Sequence, residues 1–303
     1  MVLTEEGFLL EHYIASKGIT LLHGKFSTYK TPLTVHIAKA ICTGEELWGL
    51  KVEKAAPVLY LEADTPLSVI LPRLQAINVD VPGLDFAFCY PGFDIVNPGS
   101  SEKGRSIYQE LWTTHREKQY RMVVIDSLRC IHRMKSVEDD TPPTVYGAIS
   151  TLFEGATITI IHHDKKTKLL DRGQHATEHD LQELSAEAFS GSQAWINHAT
   201  IGIHIKSFGD ENVSLIHTKS QAGEKQPPLI LNMIDGGTIV ELPVVTGNDE
   251  VLLNIVKKLV NLGTKLTQID KEIAKHLGVS VRSARKKRLE LLEPIPSPDL
   301  RPN

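Results

Sequence analysis

The chain has 303 residues, 41% of them hydrophobic and 23% charged, enough apolar material for a buried core and too much for a chain disordered throughout. No run of about 18 apolar residues occurs, which argues against a membrane-spanning helix. The acidic start, with Glu5, Glu6 and Glu11, lacks the basic and apolar regions of a cleavable signal. The net charge of −4 conceals an uneven distribution. Thr264–Glu290 holds eight Lys or Arg against three Asp or Glu, so an acidic body carries a basic tail. Cys42, Cys89 and Cys130 are odd in number, far apart and without a CxxC pair. They predict reduced core thiols, a cytoplasmic setting and no structural zinc module.

Taken in order, the apolar runs ITLL (from Ile19), PVLYL (from Pro57), FAFCY (from Phe86), MVVID (from Met122) and TITII (from Thr157) predict strands covered on both faces. Leu33, Ile37 and Ile41, four residues apart, predict a helix after the first. Asp64-Thr65-Pro66 reads as a helix cap and first turn, and Ser101 begins a helix that runs to about Gln119. The alternation predicts an α/β fold with a doubly wound, mostly parallel sheet. The polar stretch Asp164–Glu187 is long for a connection, which marks it as functional or mobile. After Ala199, IGIHI, VSLIHT, LILNMI and TIVEL are separated by Gly-, Asn- and Pro-rich turns, and predict antiparallel strands at one sheet edge. Val245–Asp249 reads as a linker, followed by short helical segments. The expected domains are 1–245, an α/β domain; 250–295, a small helical domain; and 296–303, a flexible tail.

The segment from Gly24 to Thr31 fits G-x-x-x-x-G-K-[ST], except that Tyr29 replaces the second glycine. After a strand and before a helix, this pattern points backbone amides at phosphate. Gly24, Lys25, Phe26, Ser27, Thr28, Tyr29, Lys30 and Thr31 form the expected phosphate loop, with Lys30 on the β- and γ-phosphates and the Thr31 hydroxyl on Mg²⁺. RMVVIDSL ends a strand in Asp126, a Walker-B pattern. Glu62 and Asp64 end another strand, so all three strand ends are expected at one crevice. An ordinary strand–turn–helix with a chance Lys-Thr pair is the alternative. The adjacent His162 and His163 alternate across their strand and cannot chelate one ion together. In the tail, Thr267 and Ser280 read as caps of two helices around Gly278. The second bears Arg282, Arg285, Lys286, Lys287 and Arg288, a helix-turn-helix pattern suited to DNA. A small packing or oligomerisation module with a solvated basic face is the alternative.

GKFSTYKT, VLYLEADTPLSVILPRL, RMVVIDSLRCIH, and TIIHHDKK followed by FSGSQAW together resemble the RecA-like ATPases, most closely the RepA-type hexameric helicase branch. The match spans about Gly18 to Ile234 and is specific in order and spacing rather than in any one motif. The resemblance implies a RecA-like fold, ATP and Mg²⁺ as cofactors with Asp126 holding the ion through water, single- or double-stranded DNA as partner, and a homo-oligomeric ring, which in that branch is a hexamer. It places Asp64 where the branch has the glutamate that activates water, with Glu62 as the neighbouring candidate. It makes His163 or His162 the sensor of the γ-phosphate, and puts Lys165, Lys166, Lys168 and Arg172 on channel loops that touch DNA. Ser190 and Gln221 depart from the branch, which has arginine at both places. Lys219 is then the remaining cation for a finger role. The function implied is ATP hydrolysis coupled to DNA binding or translocation. The alternative is a nucleotide-regulated DNA-binding switch or scaffold with weak or lost hydrolysis.

Overall fold

A computed structural model describes residues 7–89, 93–134, 140–164, 193–208, 211–226, 228–241, 266–277 and 280–285. The chain divides into two compact units, Met1–Glu241 and Leu242–Asn303. The linker read at Val245–Asp249 lies outside the described residues. No helix among the described residues is long and apolar enough to cross a membrane.

The first unit opens with a small antiparallel pair, β1 (Phe8–Leu10) and β2 (Ile14–Ala15). Alternating elements follow: β3 (Ile19–Gly24), α1 (Lys30–Thr43), β4 (Val58–Glu62), α2 (Leu67–Ile77), β5 (Leu84–Phe88), α3 (Glu102–Lys118), β6 (Met122–Asp126), α4 (Thr141–Leu152) and β7 (Thr157–His163). β8 (Ile201–Phe208), β9 (Asn212–Ser220), β10 (Leu229–Ile234) and β11 (Ile239–Glu241) complete the main sheet. Among the described residues its order is β11-β10-β9-β8-β3-β7-β6-β4-β5. The fold is α/β, with a mostly parallel sheet and antiparallel strands at one edge. That edge is β9–β11; β8 itself runs parallel to β3, so IGIHI belongs to the parallel part.

Both faces of the sheet are packed, which is why its central strands are apolar at nearly every position. Leu33, Ile37 and Ile41 of α1 join Ile70, Leu74 and Ile77 of α2 in a core against one face. Leu111 of α3 and Val145, Ile149 and Leu152 of α4 cover the other. α1 stops at Gly44, whose left-handed φ of 75° lets its amide reach the Ala40 carbonyl. Ser101 caps α3 by accepting from the Gly104 amide. The expected cap before α2 differs: α2 starts after Pro66 with no side-chain cap, and the Asp64 and Thr65 amides go to Glu62 instead. The strand predicted from Phe86 begins two residues earlier, at Leu84.

In the second unit, α5 (Leu266–Leu277) buries Ile269, Ile273 and Ala274 against Ala284, which sits on helical residues 281–285. Ser280 accepts from the Ser283 amide at 3.2 Å, capping that turn.

Candidate functional site

Parallel register brings the strand ends together. Gly24 lies opposite His163 across β3 and β7, and Glu62 opposite Asp126 across β4 and β6. The loop after β3, the carboxylates and His163 therefore share the C-terminal edge of the sheet, where open α/β folds bind ligands.

Gly24 is required by space. A Cβ there would collide with the Ile205 carbonyl oxygen of β8 and stand 3.0 Å from Thr28 Oγ1. Tyr29 takes the backbone conformation that a glycine would supply, φ 59° and ψ 22°, and α1 begins immediately after it. Its half-buried ring packs against the apolar core beneath the loop. Ser27 is also left-handed, at φ 60°. Lys30 is buried, and its ammonium donates to Gly24 O at 3.0 Å, Lys25 O at 2.5 Å and Thr28 Oγ1 at 3.1 Å. Burial lowers its pKa to about 8, against the opposing pull of Asp164, Asp126 and Asp64.

Thr31 Oγ1 donates to Asp126 Oδ2 at 2.6 Å, joining the first turn of α1 to the end of β6. The hydroxyl of Tyr60, fully buried on β4, donates to the same oxygen at 2.9 Å. Burial raises the Asp126 pKa, and these two donors oppose the rise. Tyr60 sat unnoticed within an apolar run of the sequence.

The two carboxylates that end β4 differ. Glu62 is fully buried. Its Oε1 accepts the Asp64 and Thr65 amides at 2.9 and 2.7 Å, and its Oε2 has no hydrogen-bond partner among the described residues. Burial, then the charge of Asp126, raises its pKa. The Asp64 side chain is 38% exposed and lies 3.2 Å from His163 Nε2 through Oδ2. It also accepts from Cys130 Sγ at 3.3 Å and Ser127 Oγ at 3.4 Å. The His163 contact is the main reason its pKa is lowered, so Asp64 is ionised at neutral pH. His163 stacks on Phe26 of the loop, centroids 4.4 Å apart. His162 turns to the other face, near Trp195, and burial drives its pKa down to about 4.

A cavity of about 490 Å³ opens beside the loop, between α1, α2 and the turn at 235–238, with Arg73 and Leu74 in its wall. Its size suits a small organic ligand. The site also fits the implied cofactors: a loop amide path that tolerates no Cβ at Gly24, a lysine, and a hydroxyl–carboxylate pair of the hard oxygen type that magnesium takes.

Lys219 is elsewhere. It pairs with Gly202, itself opposite Leu21 in the middle of β3, and its ammonium donates to Asn197 O at 2.6 Å. Lys165, Lys166, Lys168, Arg172, Ser190, Lys286 and Arg288 lie outside the described residues. Arg282 and Arg285 are exposed.

Among protein families, residues 4–168, more than half of the chain, match the AAA domain. A search of curated proteins finds no match. Among solved structures, the chain is similar to the crystal structure of the RadB recombinase, at 10% identity and a TM-score of 0.43, over 74% of this chain and 90% of that one.

Proposed function

The chain belongs to the AAA domain family, P-loop ATPases that bind nucleotide with Mg²⁺, and we propose that within it this protein hydrolyses ATP and couples hydrolysis to binding or moving along DNA, as RepA-type helicases do. The observation that carries the reading is the 2.6 Å contact of Thr31 with Asp126 beside a buried Lys30. Phosphoryl-transfer sites hold their magnesium between such a hydroxyl and carboxylate.

Bound Mg²⁺–ATP would supply the phosphoanhydride and neutralise its charge. Lys30 leaves its loop acceptors to hold the terminal phosphates, and the Gly24–Tyr29 amides orient them. Asp64, partly exposed and ionised, accepts a proton from the attacking water. Being shorter than glutamate, it works from close range, held by His163, Ser127 and Cys130. Glu62 is a positioning residue, because its Oε1 fixes the turn that presents Asp64. His163 links Asp64 to the loop through its stack on Phe26. Lys219, remote from the loop of its own chain, acts only on a neighbour's nucleotide in a ring. The basic residues Lys165, Lys166, Lys168, Arg172, Arg282, Arg285, Lys286 and Arg288 take DNA phosphates, in domains bounded at 245 and 250.

ATP turnover measured with and without single-stranded DNA, for wild type and Lys30→Ala, tests the proposal. DNA-stimulated turnover lost in the variant supports it, and absence of ATP binding overturns it. Removing the residues after Gly247 tests the tail: unchanged DNA affinity and salt slope would remove it from the DNA interface. Gln221 in place of arginine, and a Lys219 already bonded to Asn197 O, favour a second reading, a nucleotide-controlled DNA switch. That reading expects ATP binding with little turnover, since a missing finger costs about 10³–10⁵ in rate.

A further inference from the structure

Three residues to which the proposed chemistry gives no role converge on the other face of β3. His23 lies on β3, His204 on β8 and Asp164 directly after β7, and their ligand-capable atoms all fall within 4.8 Å of one another. His23 Nδ1 is 3.1 Å from Asp164 Oδ1, and His204 Nε2 is 3.5 Å from Asp164 Oδ2. The two imidazoles are stacked, centroids 4.9 Å apart and planes 9° apart.

We propose that His23, Asp164 and His204 bind one transition-metal dication of the zinc class.

Two imidazoles and a carboxylate are a borderline donor set that suits zinc better than the all-oxygen cations. With metal–ligand bonds of about 2.0–2.1 Å, tetrahedral ligand atoms stand about 3.3 Å apart. The separations of 3.1 and 3.5 Å bracket that value. The remaining separation is at most 4.8 Å, and the His204 side chain is 21% exposed.

The scaffold holds these ligands by construction. His23 pairs with His204 in the parallel register of β3 and β8, so both side chains emerge from one face. A slip of one residue would send one of them through the sheet. The Asp164 amide donates to Gly24 O at 3.0 Å, which fixes the carboxylate at the end of the neighbouring strand. His23 Nε2 contacts Thr218 Oγ1 at 3.3 Å, leaving Nδ1 toward Asp164, as a partner behind a metal-binding histidine does. Asp164 and His204 reach the surface, so a water completes the coordination. The ion would tie together the ends of three adjacent strands. It would also anchor the first residue of the polar stretch Asp164–Glu187, on the face of β3 opposite His163 and Phe26.

The test uses the full-length, untagged, nucleotide-free protein with zinc in titration calorimetry and cobalt in visible absorption. Wild type is expected to bind one equivalent, to show the intense bands of four- or five-coordinate cobalt, and to melt at higher temperature with zinc. His204→Ala and Asp164→Asn are expected to lose that equivalent while keeping the wild-type far-ultraviolet circular dichroism. Absence of zinc binding by wild type, or full retention in both variants, overturns the proposal. Should a variant not fold, wild type decides alone: absence of zinc binding, or a cobalt spectrum showing nothing but the pale six-coordinate form, overturns it. Metal-free ATP binding by the same variants keeps failure here separate from failure of the ATPase reading.

Discussion

Tyr60→Phe isolates a single interaction behind the Walker-B carboxylate. The ring stays, with its contact to Phe86 at 5.3 Å between centroids, and only the hydroxyl that donates to Asp126 Oδ2 is removed. Both atoms are buried, so water does not replace the lost donor. A hydrogen bond to a charged acceptor contributes about 1.5–3 kcal/mol, against about 0.5–1.5 kcal/mol for a neutral pair. Thr31 Oγ1 still serves the same oxygen, which sets the expectation at the lower end, about 1.5–2 kcal/mol. In a unit of this size 1 kcal/mol moves Tm by about 2–4 °C, so a fall of about 3–8 °C is expected. Tyr146→Phe is the internal comparison, because its hydroxyl donates to a neutral acceptor, Trp195 O, at 3.1 Å. Urea and thermal unfolding of both variants should rank Tyr60→Phe as the more damaging. A loss below about 0.5 kcal/mol, or a smaller loss than in Tyr146→Phe, would refute the view that this hydroxyl steadies a buried charge.

Gly24→Ala should destabilise by about 1–3 kcal/mol in urea unfolding and weaken ATP binding, because the new methyl group meets the backbone of β8; wild-type stability would show that the loop has free space. Tyr29→Ala should be less stable than Tyr29→Gly by about 1 kcal/mol, since both lose the ring and only alanine bears the cost of the left-handed backbone, partly offset by its stiffer unfolded chain; equal stabilities would deny that cost. His217 is buried, both ring nitrogens lack a hydrogen-bond partner among the described residues, and burial lowers its pKa from 6.5 to about 4. A depressed folded pKa means that its contribution is complete above pH 6.5 and is lost as pH falls toward 4, because the unfolded chain takes the proton first. Stability of wild type relative to His217→Leu should therefore fall by up to about 1.4 kcal/mol per pH unit in that window; parallel pH profiles would count against the burial of a neutral imidazole.

The parallel core was legible because strands covered on both faces are apolar along their length, and β3, β4, β6 and β7 all read that way. β5 was misplaced by two residues because Asp85 interrupts its apolar run, and that carboxylate is used at once by Lys118 and Tyr120. The direction of β8 was not legible, since IGIHI reads alike in parallel and antiparallel pairing and only its neighbour β3 decides. At the site, Lys30, Thr31 and Asp126 were readable from local spacing. The different surroundings of Glu62 and Asp64 were not, because two residues of sequence separate a sealed carboxylate from a partly exposed one. Tyr60 was hidden because its hydroxyl acts across strands. The His23–Asp164–His204 group was hidden because its members meet only after three strands align.

The three acceptors around the Lys30 ammonium make the loop a competitor for its own lysine. An arriving phosphate does not fill a waiting positive socket; it bids against two carbonyls and a hydroxyl that already solvate the charge. The measured affinity is then the difference between two sets of partners. A ligand that engages the lysine and the loop amides together gains from the exchange, whereas a weak anion meeting the lysine alone largely trades one set of contacts for another.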